Sequence, residues 1–198
     1  MRGRTSTGMK WGLVGGLLAG GALIPLIPVI RKRAMNVMTI LKKDHRVRTQ
    51  DFLYSHHRMV SGLLMTLEMT PRMNATIRKK LFEQIRTDLT VHAQAEEEVF
   101  YPVMRTLTFG MQGPKVDDAY REHQTMKELL NQMMNLDVMG DEFDNKLRDL
   151  KNTFQHHVAE EEGEMFEFVN RRMSKQQQED LGQRLHNRKK DLKTRMAA

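Results

Sequence analysis

Four stretches of this chain repeat apolar residues at spacings of three and four, and each breaks its own pattern with a histidine in the apolar seam. That period belongs to helices with one buried face. The first seam runs Val37/Met38, Leu41, His45, Phe52, His56, Met59/Val60, Leu63, Leu67, and the second Ile77, Leu81, Ile85, Leu89, His92, Glu96, Val99, Val103. The third is Val116, Tyr120, His123, Met126, Leu130, Met133, and the fourth Phe143, Leu147, Leu150, Phe154, His157, Glu161, Met165, Phe168. Breaks at Thr70-Pro71, Gly110 to Pro114 and Met139-Gly140 separate them, with ordinary stop and start chemistry. The pattern predicts an all-α, up-down-up-down four-helix bundle.

A glutamate in such a seam needs a partner, because burying an unpaired carboxylate costs several kcal/mol. His92 and Glu96 lie one turn apart on one face, as do His157 and Glu161. His123 stands seventeen residues before Gly140 and His157 seventeen after, so an antiparallel pair brings them to one level. His45 and His92 flank the first break at comparable distances. Four imidazoles and two carboxylates therefore converge on one layer of the core. That is a donor set for first-row transition metals, and for two ions rather than one. Iron stands first, with zinc and manganese as open alternatives.

Chance alone, with eight His and fourteen Glu, gives about half of one HxxxE pair. Three occur; the third, His156–Glu160, falls off the seam and is expected to face solvent. No glutamate has a histidine three residues later, which argues against a ferritin-like site, and HExxH is absent, which excludes a zincin. Cysteine is absent as well, so disulfides, zinc fingers, thiol catalysis and Cys-ligated clusters are excluded.

The stretches LKKDHRV around His45, HAQAEEEVFYP from His92, YREHQ around His123 and HHVAEEEGEMF from His156 resemble, in that order, the hemerythrin HHE cation-binding family. The resemblance covers about residues 36–170. It implies a non-haem di-iron centre inside the bundle, ligated by His45, His92, Glu96, His123, His157 and Glu161, with the glutamates bridging. The cofactor expected is two iron ions, bridged by oxo or hydroxo groups and carboxylates. Where oxygen-carrying hemerythrins place a second histidine one turn after the third-helix ligand, this chain has Lys127. That substitution argues against reversible oxygen carriage and for a more open, reactive or sensing centre.

His56 follows His45 by eleven residues, about 16 Å along a helix, and is expected to be a core histidine outside the centre. His57 and His156 fall off the seams and are expected to be solvated. Glu97 and Glu160 neighbour ligands and are expected behind them, while Tyr120, one turn before His123, is within reach of donating to a bound oxygen species or of packing as a core tyrosine.

Trp11 to Ile30 holds no charged residue in twenty positions, between Lys10 and Arg31-Lys32-Arg33. That length spans a ~30 Å hydrocarbon core, and the heavier basic flank on its C-terminal side predicts a single-pass membrane protein with a cytoplasmic domain. Gly8, Gly12, Gly16 and Gly20 form a stripe suited to another membrane helix or a second copy. The domains expected are an anchor over 1–33, the bundle over 34–170 and a basic C-terminal helix over 171–198, packed on the bundle or against lipid. The +7 net charge sits at the two ends. Residues 44–170 carry fifteen basic against twenty-two acidic residues, a net of −7, so no nucleic-acid partner is expected.

The function expected is a membrane-anchored protein that binds or responds to dioxygen, peroxide or nitric oxide. The alternatives are a di-iron enzyme that decomposes peroxide or reduces nitric oxide at the same centre, and a metal-free membrane scaffold. No catalytic acid–base pair or nucleophile is visible, and binding is favoured because neither an output domain nor an electron-delivery motif can be seen.

Overall fold

The computed structural model describes residues 47–108 and 116–197, and these are helices joined by short turns. The first is α1 (Thr49–Met69). Next, α2 (Ala75–Ala95) continues through a π-helical turn (Glu96–Phe100) into α3 (Tyr101–Thr108). After α4 (Val116–Met133), α5 (Asp141–Glu160) continues through a second π-helical turn (Glu161–Met165) into α6 (Phe166–Arg172). The last is α7 (Lys175–Ala197). Counted as continuous rods there are five. Four make the expected bundle, and α7 packs against α1, α2 and the first π turn.

Two apolar clusters fill the interior. One, around Val60, Leu64, Ile85, Met126, Phe143 and Leu150, lies toward the end where α1 turns into α2 and α4 into α5. The other, around Phe52, Ala95, Phe100, Met104 and Phe168, takes in Leu181, Leu185 and Leu192 of α7. The buried histidines and glutamates form a polar layer between the two.

The fifth rod is locked in place by its start. Ser174 and Gln177 make a reciprocal capping box, the Ser174 amide donating to Gln177 Oε1 at 2.7 Å and the Gln177 amide to Ser174 Oγ at 3.3 Å. Thr49 Oγ1 then donates to the Gln178 carbonyl at 2.8 Å, and Gln50 Nε2 to the Phe166 carbonyl at 2.7 Å. Gly182 meets the chain entering α1 so closely that a Cβ there would lie 2.2 Å from the Val47 carbonyl oxygen. Gly182→Ala is therefore expected to cost about 1–3 kcal/mol, read as a lower urea midpoint.

At the far end Arg78 joins both turns. Its Nε donates to the Val138 carbonyl at 2.6 Å, Nη1 to the Thr70 carbonyl at 2.8 Å, and Nη2 pairs with Asp144. Arg78 is 1% exposed, so Arg78→Met strands buried carbonyls and is expected to cost about 3 kcal/mol or more in the same assay.

The architecture is thus a five-helix bundle, and the membrane-anchored version expected from sequence is corrected. Among the described residues no helix is long and apolar enough to cross a membrane. The stretch over 11–30, the glycines at 8, 12, 16 and 20 and the boundary at 33 lie outside the described residues. The transmembrane helix, the membrane as partner, the oligomer through the glycine stripe and the single-pass location have no support in the fold and are not retained. The expected C-terminal helix is present and takes the packed arrangement: its leucines are needed to close the core.

Candidate metal centre

The polar layer contains His57, His92, Glu96, His123, His157 and Glu161, each at most 2% exposed. One ligand atom each from His92, Glu96, His123 and His157 falls within a mutual 4.8 Å, and one each from His57, His157 and Glu161 does the same. His123 Nε2 and His157 Nε2 stand 3.3 Å apart. Glu96 Oε2 lies 3.4 Å from His123 Nε2 and 3.9 Å from His157 Nε2, while Glu161 Oε2 lies 3.4 Å from His57 Nε2 and 3.8 Å from His157 Nε2. Tyr101 adds a hydroxyl that donates to Glu161 Oε1 at 2.8 Å and sits 3.2 Å from His123 Nε2.

Outside this layer a second set of carboxylates holds the rings. Glu162 Oε1 faces His57 Nδ1 at 2.9 Å, Glu97 Oε1 faces His123 Nδ1 at 3.1 Å, and Glu122 Oε2 faces His157 Nδ1 at 3.1 Å. A carboxylate on Nδ1 makes that nitrogen the donor and leaves the Nε2 lone pair pointing inward. Two such lone pairs face each other between His123 and His157, an arrangement that requires a cation or a proton between them. Lys127, in the position of the missing histidine, points away from the layer and binds both Glu97 oxygens at 2.7 and 2.8 Å. Glu97→Gln removes the charge that orients His123 and is expected to lower metal affinity about 10- to 100-fold, read by competition against a chelator.

Among the described residues, five ligand atoms are buried without a hydrogen-bond partner: His57 Nε2, His92 Nε2, both oxygens of Glu96 and Glu161 Oε2. Each such group costs about 1–3 kcal/mol or more, and all five belong to one layer. Metal ions satisfy them together, so these residues fit a metal pair. Without metal, the surrounding carboxylates hold protons in the layer. Burial would depress His57 and His123, yet Glu161 and Glu162 hold the first at a pKa of about 9, and Glu96 and Glu97 hold the second at about 9. Burial, reinforced by the neighbouring His57, His157 and His123, drives His92 well below the usual range. Burial and Glu96 would raise Glu161, but His157 and His57 overcome them and keep it low. Burial and the Glu161 charge push the Tyr101 phenol well up, so it is a donor at neutral pH.

The two π turns begin on the two layer glutamates. Such turns are rare and recur at functional sites. Here consecutive glutamates do different work: Glu96 and Glu161 enter the layer, while Glu97 and Glu162 each reach a histidine on another rod. The halves are related residue by residue, His57 to His123, His92 to His157, Glu96 to Glu161, Glu97 to Glu162 and Tyr54 to Tyr120. Two of the differences touch the layer: Tyr101 answers to Phe166, and His56 to Glu122.

Of the residues singled out from sequence, His92, Glu96, His123, His157 and Glu161 meet in the layer, and His45 lies outside the described residues. Glu97 sits behind His123 as expected. Tyr120 instead donates to the Glu97 backbone carbonyl at 3.1 Å. Glu160 is near the exposed His156, 3.8 Å from its Nδ1. The expectation that His57 is solvated is wrong, since it is 1% exposed inside the layer. Sequence reasoning also passed over Tyr101, Glu122 and Glu162, although the repeated HxxxEE signals Glu97 and Glu162 alike.

Comparison with known proteins agrees with this geometry. The family model for the hemerythrin HHE cation binding domain matches residues 48–169. A DNA nickase of Nostoc sp. is 33% identical over 138 residues, 70% of this chain and 37% of that protein. The chain thus spans little more than a third of that relative. A hemerythrin-like protein of Schizosaccharomyces pombe is 22% identical over 166 residues, 83% of this chain and 80% of that protein. The crystal structure of a hemerythrin HHE cation binding domain-containing protein of Mycobacterium kansasii superposes with a TM-score of 0.64 at 21% identity, covering 74% of this chain and 87% of that one. With a matching family model over most of its length and the buried His/Glu layer that such a domain requires, the chain belongs to the hemerythrin HHE cation-binding domain family.

Proposed function

We propose that the layer is a non-haem di-iron centre that binds or responds to dioxygen, peroxide or nitric oxide. His57, His92, Glu96, His123, His157 and Glu161 hold the metals, with His57 as the histidine supplied by the first helix. The observation that carries this reading is the set of five unpaired ligand atoms in one buried layer, together with three imidazoles there whose Nδ1 faces a carboxylate. Two iron ions would supply a redox couple and open positions for a small ligand.

The chain's own groups do the rest. Glu97, Glu122 and Glu162 set the tautomers of three imidazoles. Phe154 and Phe166 pack about His57 at 6.1 and 6.3 Å between ring centroids and keep water away from it. Tyr101 holds a proton at its hydroxyl, beside both Glu161 and His123, where it can be turned toward a ligand oxygen.

That phenol also favours a second reading, an enzyme that consumes peroxide or reduces nitric oxide, because turnover needs a proton source beside the metals. DNA nicking, named for the Nostoc relative, is not adopted for this chain, whose residues 44–170 are net acidic. The test is to expose the iron-loaded full chain to each ligand in turn. A binding protein changes its optical spectrum and consumes about one peroxide per centre. Continued peroxide or nitric oxide consumption selects the enzyme, and no response to any of the three removes both readings.

A further inference from the structure

The three carboxylates behind the imidazoles are not equivalent. Glu97, Glu122 and Glu162 each face an Nδ1 at 2.9 to 3.1 Å, and their side chains are 17 to 28% exposed, so water screens them to a similar degree. Their other partners differ. Glu97 is held by an ammonium, with Lys127 Nζ 2.7 Å from Oε1 and 2.8 Å from Oε2. Glu122 turns its second oxygen to the exposed His156 at 3.3 Å. Among the described residues no lysine or arginine pairs with Glu122 or Glu162. The pseudo-repeat sharpens the contrast. His57 and Glu162 answer to His123 and Glu97, but the position that answers to Lys127 is the uncharged Ser61.

A carboxylate on Nδ1–H draws the ring proton toward itself and makes Nε2 a stronger electron donor. An ammonium on the same oxygen competes for that negative charge, so the ring proton stays on nitrogen and Nε2 donates less. Here the competition falls on one atom, because Glu97 Oε1 accepts from both Lys127 and His123. His123 belongs to the ligand group with His92, Glu96 and His157, and His57 to the group with His157 and Glu161. The first group therefore contains a weakened donor where the second has a full one.

We propose that Lys127 is a positioning residue that acts through Glu97 on His123 and makes the two metal positions unequal, the one at His123 favouring ferrous iron more than the one at His57. This rests on the di-iron reading above and adds an order of oxidation to it. With a one-electron oxidant such as ferricyanide, the ferrous ion beside His57 and Glu161 loses its electron first, and the ion beside His123 second. Each step turns one ferricyanide into ferrocyanide.

The test is a potentiometric titration of the iron-saturated full chain between dithionite and ferricyanide. Two separate one-electron steps are expected in the wild type. Lys127→Met is expected to lower the higher potential and bring the steps together, whereas Lys127→Arg, which keeps the charge, retains the wild-type spacing. A double-mutant cycle separates action through Glu97 from action at a distance. In a Glu97→Gln background, Lys127→Met is expected to move neither step. A single two-electron step in the wild type, no shift in Lys127→Met, or the same shift in the Glu97→Gln background overturns the proposal.

A second arm needs no iron. In the chelator-stripped full chain carrying isotope-labelled histidine, NMR reads the Nδ1 protons of His57 and His123 separately. Lys127→Met is expected to move the His123 proton to lower field, as the released Glu97 takes a stronger hold on it, and to leave that of His57 in place. Circular dichroism confirms that each variant is folded. An unmoved His123 proton in folded Lys127→Met overturns the proposal too. If iron fails to load while the His123 proton still answers to Lys127, the di-iron reading falls with its order of oxidation, and the action of Lys127 through Glu97 on His123 stands.

Discussion

Glu96→Met is expected to make the chelator-stripped protein more stable and the iron-treated protein less so. Glu96 is fully buried, neither of its oxygens has a hydrogen-bond partner among the described residues, and imidazole nitrogens face it at 3.0 to 3.9 Å. Replacing a buried, poorly satisfied charge with an apolar side chain of similar length often gains about 1–4 kcal/mol. The same change removes the carboxylate of the His92, Glu96, His123 and His157 group, so iron falls from two per chain to one or none. Ligand that binds only the folded state stabilises by about 4 kcal/mol at a thousandfold excess over its Kd. The denaturation curves of wild type and variant should therefore cross: the variant ahead without iron, the wild type ahead with it. A variant that loses stability without iron and binds as much iron as wild type would show that Glu96 is a structural residue.

His57→Leu is expected to abolish loading of one iron and to weaken the other, while His45→Leu leaves both unchanged. His57 contributes an inward Nε2 and has its Nδ1 on Glu162, the same construction as His123 on Glu97. Losing a ligand should cost more than the roughly 100-fold typical of losing a group behind one. Iron content after anaerobic reconstitution and desalting reads this directly. Equal losses in both variants would return His45 to the centre.

The choice between these histidines turns on where the mirror point falls. Paired antiparallel helices mirror about the point where the second begins, and that point is Asn74 for α2, as Gly140 is for α5. Measured from Asn74, His57 stands seventeen residues before and His92 eighteen after, matching the seventeen and seventeen about Gly140. Mirroring about the break at Thr70-Pro71 instead shifts the partner of His92 toward the N-terminus and selects His45. The buried face of α1 is also wider than one seam, because α7 covers the His56 side while the bundle covers His57. Periodicity alone assigns one histidine to the core and the other to solvent; a helix with neighbours on three sides buries both.

The four bundle seams and five of the six layer residues were legible because each apolar seam advertises its own face, and a glutamate in it can be there only for a partner. The groups behind the ligands were not. Glu122 and Glu162 sit on surface-facing positions of their own helices, and only the packing of the rods shows which imidazole each one reaches. Tyr101 enters the layer because the π turn before it shifts the helix register, and regular helical counting does not anticipate that shift. The hydrophobic stretch at 11–30 reads as a membrane span from composition, yet the described residues build a bundle without a crossing helix.

The most direct measurement is an anaerobic titration of the chelator-stripped full chain with ferrous iron, following tightly bound metal per chain and circular dichroism together. Two equivalents bound at the break, with a rise in unfolding midpoint that Glu96→Met lacks, is the result predicted. A chain that stays folded and takes up no iron would contradict the account, and the buried layer would then be a proton-satisfied core rather than a metal centre.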